Sequence, residues 1–154
     1  MFDNTPQTSA PAPLFTKTEP EWPEVPFKQG VHRVFTEKER IAPFQIATPV
    51  GEESYYVKLV DVTNGKTVMT MFVRGGQTWE TKVPLGSFKV KYATGMKWYG
   101  PQPERLFGPQ TRVNEADSVF HFRVEGNRVN GYTIQLIKQV GGNLKTRPIG
   151  RNDF

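Results

Sequence analysis

TVMTMFVRGGQTWETKVPLGSFKVKYAT, residues 67 to 94, alternates apolar and polar residues strand after strand and breaks only at Gly75-Gly76 and Pro84-Leu85-Gly86. A period of two, interrupted by turn formers, predicts short antiparallel strands. Thr67 to Arg74 carries apolar side chains in both phases, Val68 and Phe72 in one and Met69, Met71 and Val73 in the other. That pattern predicts a central strand covered on both faces. Ser87 to Ala93 is one-sided, with Phe88, Val90 and Tyr92 inward and Lys89 and Lys91 outward.

Working outward, Val31 to Phe35 and Ile41 to Ile46 are further candidate strands around the charged turn Glu37-Lys38-Glu39-Arg40, and Tyr55 to Val62 is a stronger one. Asn64-Gly65 after it favours a tight hairpin. Ser118 to Val124 places Phe120, Phe122 and Val124 on one face, and Tyr132 to Val140 places Ile134 and Leu136 inward. Together these predict an all-β fold, a single antiparallel β-sandwich of about seven strands, with no helix longer than a turn or two. The seven inward residues Phe88, Val90, Tyr92, Phe120, Phe122, Ile134 and Leu136 are expected in a single core.

The first 27 residues belong to no strand. Six of the 13 prolines precede Lys28, in a stretch without strand or helix period, so residues 1–27 are expected to be an extended Pro-rich arm ahead of a domain over 28–149 and a tail over 150–154. Charge divides along the same line. The first 26 residues hold one basic and four acidic side chains, so −3 lies on the arm and +8 on the rest of a chain of net charge +5. An acidic arm on a basic body is suited to fold over that body or over a neighbouring copy.

Absence of cysteine excludes disulfides and thiolate chemistry. No apolar run approaches the ~20 residues of a membrane-spanning helix. The opening Met1-Phe2-Asp3-Asn4-Thr5-Pro6 lacks a basic and then apolar leader, which points to cytoplasmic synthesis, with incorporation into a virion or other large complex as the expected destination.

The run Asn64-Gly65-Lys66 followed by Val83-Pro84-Leu85-Gly86-Ser87-Phe88-Lys89-Val90 resembles the core of transthyretin-like modules, including PEGA and carboxypeptidase regulatory-like domains, over about residues 55–94. The resemblance implies a small non-catalytic accessory or adhesion sandwich; the insertion from Gly95 to Arg112 departs from it. Residues 40 to 154 also look like a small bacterial or phage protein family, a resemblance that implies no activity.

Gly95 to Pro109 is a long aperiodic loop, the kind that often carries function. Trp98, Tyr99 and Phe107 offer flat apolar area and Lys97 and Arg105 add charge, a mixture enriched at protein interfaces. The opposing reading has Trp98 and Phe107 plugging an open end of the sandwich. In the arm, Phe2, Leu14, Phe15, Trp22 and Phe27 are expected anchors for a partner, either subunits of a larger assembly or a second copy.

Other constellations are thin. His32 and His121 are the only histidines and lack a spaced acid. Glu52-Glu53 and Glu115-Ala116-Asp117 lack the ligand density of a calcium loop. Gly75-Gly76 and Gly141-Gly142-Asn143 sit between strands and are expected turns, not phosphate cradles. Neither an enzyme nor a metal or cofactor site is expected. Between Lys82 and Phe154 twelve basic residues face five acids, so single-stranded nucleic acid held by Lys89, Lys91 and Arg123 is a rival. A carbohydrate module built on Trp98 and Tyr99 is a third reading.

Overall fold

The structure, a computed structural model, describes residues 22–136 and 146–154. Over these the chain is all-β: β1 Gly30–Val34, β2 Arg40–Ala47, β3 Ser54–Asp61, β4 Thr67–Arg74, β5 Thr78–Pro84, β6 Gly86–Gly95, β7 Arg112–Ala116, β8 Phe120–Phe122, β9 Val124–Glu125, β10 Arg128–Val129, β11 Tyr132–Gln135 and β12 Thr146–Pro148, then a 3-10 turn at Arg151–Asp153. A large sheet runs β1-β4-β3-β6-β7-β12, with β8 pairing the start of β6, and a small sheet runs β11-β2-β5. β9 and β10 form a separate hairpin.

The alternation seen in the sequence becomes the core between the two sheets. Ala42, Phe44 and Ile46 of β2 are fully buried against Val57 and Leu59 of β3, Met69, Met71 and Val73 of β4, and Val90 of β6. All seven residues assigned an inward phase, Phe88 through Leu136, lie in this core. Phe122 meets Phe44 edge-on with ring centroids 5.7 Å apart. Burial of each such side chain contributes roughly 1.5–3 kcal/mol.

β4 is covered on both faces, as its doubly apolar pattern predicts: Met69, Met71 and Val73 enter the core while Thr70 and Phe72 are buried on the opposite side. The β3–β4 hairpin turns at Asn64-Gly65, where Gly65 has φ +72° and the Asn64 carboxamide oxygen accepts from the Lys66 N–H at 2.9 Å.

The structure also departs from the expected strands. The tally of about seven omits Thr78–Pro84, Arg112–Ala116, the β9–β10 hairpin and Thr146–Pro148. In β7 the reason is chemical, because Asn114 and Glu115 interrupt any apolar alternation. Val124, expected inward with Phe120 and Phe122, is 54% exposed, because the chain leaves β8 after Phe122 and turns into the hairpin. β11 runs parallel to β2, an exception to the antiparallel expectation, and ends at Gln135. The expected continuation to Val140 and the Gly141-Gly142-Asn143 turn lie outside the described residues, as do Phe2, Leu14 and Phe15. No helix among the described residues is long and apolar enough to cross a membrane.

Burial holds the core phenols neutral. It pushes Tyr55 up to about 12, with the Glu53 carboxylate adding to the effect, and it raises Tyr56 and Tyr92 as well. An unfolded tyrosine ionises near 10. Stability from these groups is therefore fully present below about pH 10 and is lost as pH rises toward the folded value. Urea unfolding at pH 8, 10 and 11.5 should show a flat midpoint followed by a fall; a midpoint unchanged at pH 11.5 would contradict the burial of these phenols.

Candidate functional site

The outer face of the large sheet is apolar too. Tyr56, Phe72, Ala93 and Val113, from β3, β4, β6 and β7, form a second buried cluster there. Among the described residues no second sheet covers this side, so irregular segments do. Trp98, Leu106 and Phe107 come from the loop after β6, Phe27 from the arm, and Ile149 and Phe154 from the C-terminal segment.

Trp98 is the hub. Its ring lies 4.7 Å from Tyr56, 5.1 Å from Phe72, 5.0 Å from Phe107 and 6.0 Å from Phe27, centroid to centroid. Two loop positions accept strain or close contact to make this possible. Leu106 is buried with φ +46°, a left-handed conformation that costs a non-glycine residue roughly 1–2 kcal/mol. Gly95 lies where Phe107 crosses the end of β6, and a Cβ there would collide with the Phe107 side chain. The loop is closed on itself by Tyr99 N–H to the Leu106 carbonyl at 2.7 Å and Leu106 N–H to the Gly100 carbonyl at 3.0 Å. The Arg151 guanidinium then donates to the carbonyls of Pro103 and Gly108, at 3.1 and 2.8 Å.

Residues 22–29 are clasped onto this loop. Phe27 stacks on Phe72 at 4.3 Å, the Val25 N–H donates to the Trp98 carbonyl at 2.9 Å, and the Arg74 guanidinium donates to the Phe27 carbonyl. The Arg74 main-chain N–H donates to the Gln29 side chain at 3.1 Å. Trp22 packs edge-on against Tyr99 at 5.9 Å, with the Arg105 guanidinium over the Trp22 ring at 5.1 Å.

The expected partner-binding residues therefore fall into three groups. Trp98, Tyr99 and Phe107, expected to offer area to a partner or a sugar, are 2, 6 and 5% exposed and pack within their own chain. Trp98 and Phe107 cover the outer sheet face and do not plug an end of the sandwich, and the Tyr99 ring packs on Trp22. Trp22, Phe27 and Arg105 are half-buried in the clasp, so Trp22 and Phe27, expected to belong to the arm, pack on the body. Lys97 is exposed, as are Met96 and the stretch from Pro101 to Glu104. Residues 150–154, set apart as a tail, join the body: the Lys58 ammonium donates to the Phe154 main-chain oxygen at 3.1 Å and sits 4.1 Å from its ring centroid.

The basic stripe is likewise engaged. Glu115, buried on the outer face, lies 4.0 Å from the ammonium groups of Lys89 and Lys91 and 2.6 Å from the Arg147 guanidinium. Lys91 also donates to the Asp153 carbonyl at 2.6 Å. Arg123 sits elsewhere, past the end of β8, and pairs with Glu125 at 3.1 Å. The three residues do not form a single stripe. Lys58, beside Lys91, has its pKa lowered by burial and by that neighbouring charge.

His32 packs on Phe72 and bonds to the Thr70 hydroxyl at 3.2 Å, and burial and Arg33 lower its pKa. His121 pairs with the Ser87 hydroxyl at 2.7 Å on an exposed surface, and among the described residues no carboxylate is bonded to its ring. No group of three metal-ligating side chains occurs among the described residues.

Arg74, Arg151 and Glu115 are the structural organisers that pattern reading missed. Arg74 and Phe27 lie 47 residues apart and their link runs to a main-chain oxygen, so side-chain spacing carries no trace of it. Comparison with family models, with curated proteins and with solved structures finds no match for this chain.

If the clasp is a structural part of the body, Phe27→Ala should lower stability by about 2–4 kcal/mol, while Val25→Ala, an exposed side chain, should change it by less than about 0.5 kcal/mol. Denaturant midpoints would show this; equal and negligible effects would mean that the arm root does not close the second core.

Proposed function

We propose that this chain is a non-enzymatic structural or adaptor component of a larger bacterial or phage assembly, which it joins through the residues ahead of Trp22 and the exposed rim of the 95–109 loop. The observation that carries this reading is the clasp at residues 22–29, which ties the C-terminal end of the Pro-rich stretch to the loop and to the outer face of the large sheet. An anchored root serves a tether, because restraint near the body reduces the entropy lost when the arm engages a partner. Proline restricts φ in the arm and adds to the same effect.

The loop contributes differently from the aromatic patch expected of it. Its rings support the clasp, and its rim, Met96, Lys97 and Pro101 to Glu104, faces solvent. The likeness of residues 55–94 to transthyretin-like accessory modules points the same way. Engagement of Lys89 and Lys91 by Glu115 weakens the nucleic-acid reading, and burial of Trp98 and Tyr99 weakens the carbohydrate one.

Removal of residues 1–21, which spares the clasp, should leave the unfolding midpoint unchanged while abolishing co-sedimentation with the native assembly. A truncated protein that still co-sediments at wild-type level would refute the tether.

A further inference from the structure

Two Asn-Gly dipeptides occur in the chain, Asn64-Gly65 and Asn130-Gly131. The peptide nitrogen after an asparagine is a nucleophile within reach of that residue's own carboxamide carbon, and a following glycine, with no Cβ, leaves the approach open. Whether the reaction runs depends on how firmly the fold holds the carboxamide and the peptide. The two sites are held very differently.

Asn130 is fixed at both ends of its carboxamide. The oxygen accepts from the Arg123 N–H and the NH2 donates to the His121 carbonyl at 2.7 Å, so the side chain is tied to β8 and to the residue that follows it. The Asn130 main-chain N–H is bonded to the Arg123 carbonyl at 3.0 Å, and Gly131 lies so close to β2 that a Cβ there would meet the Pro43 carbonyl oxygen at 2.8 Å. Bringing the carboxamide carbon onto the Gly131 nitrogen means breaking both side-chain bonds in a crowded site.

Asn64 sits at the tip of the β3–β4 hairpin, where residues 62–66 are all exposed. Its oxygen accepts from the Lys66 N–H at 2.9 Å, and among the described residues its NH2 has no hydrogen-bond partner. That bond folds the carboxamide back over the Asn64-Gly65 peptide. It also aims a donor at the oxygen on which negative charge develops when the carbon is attacked. One restraint opposes the reaction, the bond from the Gly65 N–H to the Asp61 carbonyl at 2.8 Å. It is a single main-chain bond in an exposed turn, so local opening releases it without global unfolding.

We propose that Asn64 is a site of spontaneous modification in the folded protein, with water as the reagent, and that Asn130 is shielded from the same chemistry by its two side-chain bonds. The Gly65 nitrogen, after giving its proton to hydroxide, bonds to the Asn64 carboxamide carbon; the amide nitrogen takes a proton back from water and leaves as ammonia. A succinimide ring remains. Water then opens it at either carbonyl: cleavage of the new carbon–nitrogen bond gives aspartate, and cleavage of the original peptide bond gives isoaspartate, whose main chain is longer by a methylene. Either product carries a carboxylate in place of the amide and lowers the net charge of +5 by one. The isoaspartyl form also lengthens the turn that sets β3 against β4.

The test incubates the full-length protein at mildly alkaline pH, in buffer and in urea, and follows the tryptic peptides that contain Asn64 and Asn130 by mass spectrometry. In buffer Asn64 should convert at least about tenfold faster than Asn130, and in urea the two rates should converge, because the fold and not the dipeptide separates them. Conversion of Asn130 in buffer at the rate of Asn64 would overturn the proposal. So would an Asn64 peptide that stays intact in buffer while it converts in urea, since the Gly65 bond would then protect the turn, and so would rates that remain unequal in urea, since the neighbouring sequence would then set them.

Discussion

A sheet with two apolar faces must be covered twice, and this constraint organises the molecule. One face of the large sheet meets the small sheet, where Phe44 and Ile46 lock against β3, β4 and β6. The other face, with Tyr56, Phe72, Ala93 and Val113, has no partner sheet among the described residues. Leaving it open would expose a contiguous apolar patch of the kind that drives association. Three irregular segments close it instead, and each bears an aromatic residue: Phe27, Trp98 with Phe107, and Phe154.

Irregular cover needs polar fastening, because loops lack the ladder bonds of a sheet. Arginines supply much of it. Arg74 holds the arm through the Phe27 carbonyl, and Arg151 holds the loop through two carbonyls. On the C-terminal side Lys58 and Lys91 reach main-chain oxygens of Phe154 and Asp153. Several cations that give the body its positive charge are thus spent on its own backbone and on Glu115, which explains how a basic sequence presents no continuous cationic stripe along Lys89, Lys91 and Arg123.

The inner core was legible because period-two patterning reports which side of a sheet a residue faces. Phe88, Val90, Tyr92, Phe120, Phe122, Ile134 and Leu136 all follow it. The same rule failed at Val124, where the chain stops being part of the sheet without any change in composition. Doubly apolar β4 announced that both faces would be covered, yet nothing in the spacing said by what. The cover is built from contacts at long sequence distance, Phe27 with Phe72 and Arg151 with Gly108, and from main-chain acceptors that every residue shares. Aromatic residues in an aperiodic loop fit an interface and a lid equally well. Here Trp98 and Phe107 form the lid, and Tyr99 is buried beside Trp22.

Closure of the second core by the arm root is the claim on which the assembly reading rests, and amide hydrogen exchange addresses it at single bonds. The Val25 N–H, bonded to Trp98, and the Tyr99 N–H, bonded to Leu106, belong to one cooperative unit if the clasp is intrinsic. Their exchange should then be slowed together, by a comparable factor, in the isolated protein. Val25 exchanging at the rate of an unstructured peptide while Tyr99 stays protected would show that the arm root does not close the outer face.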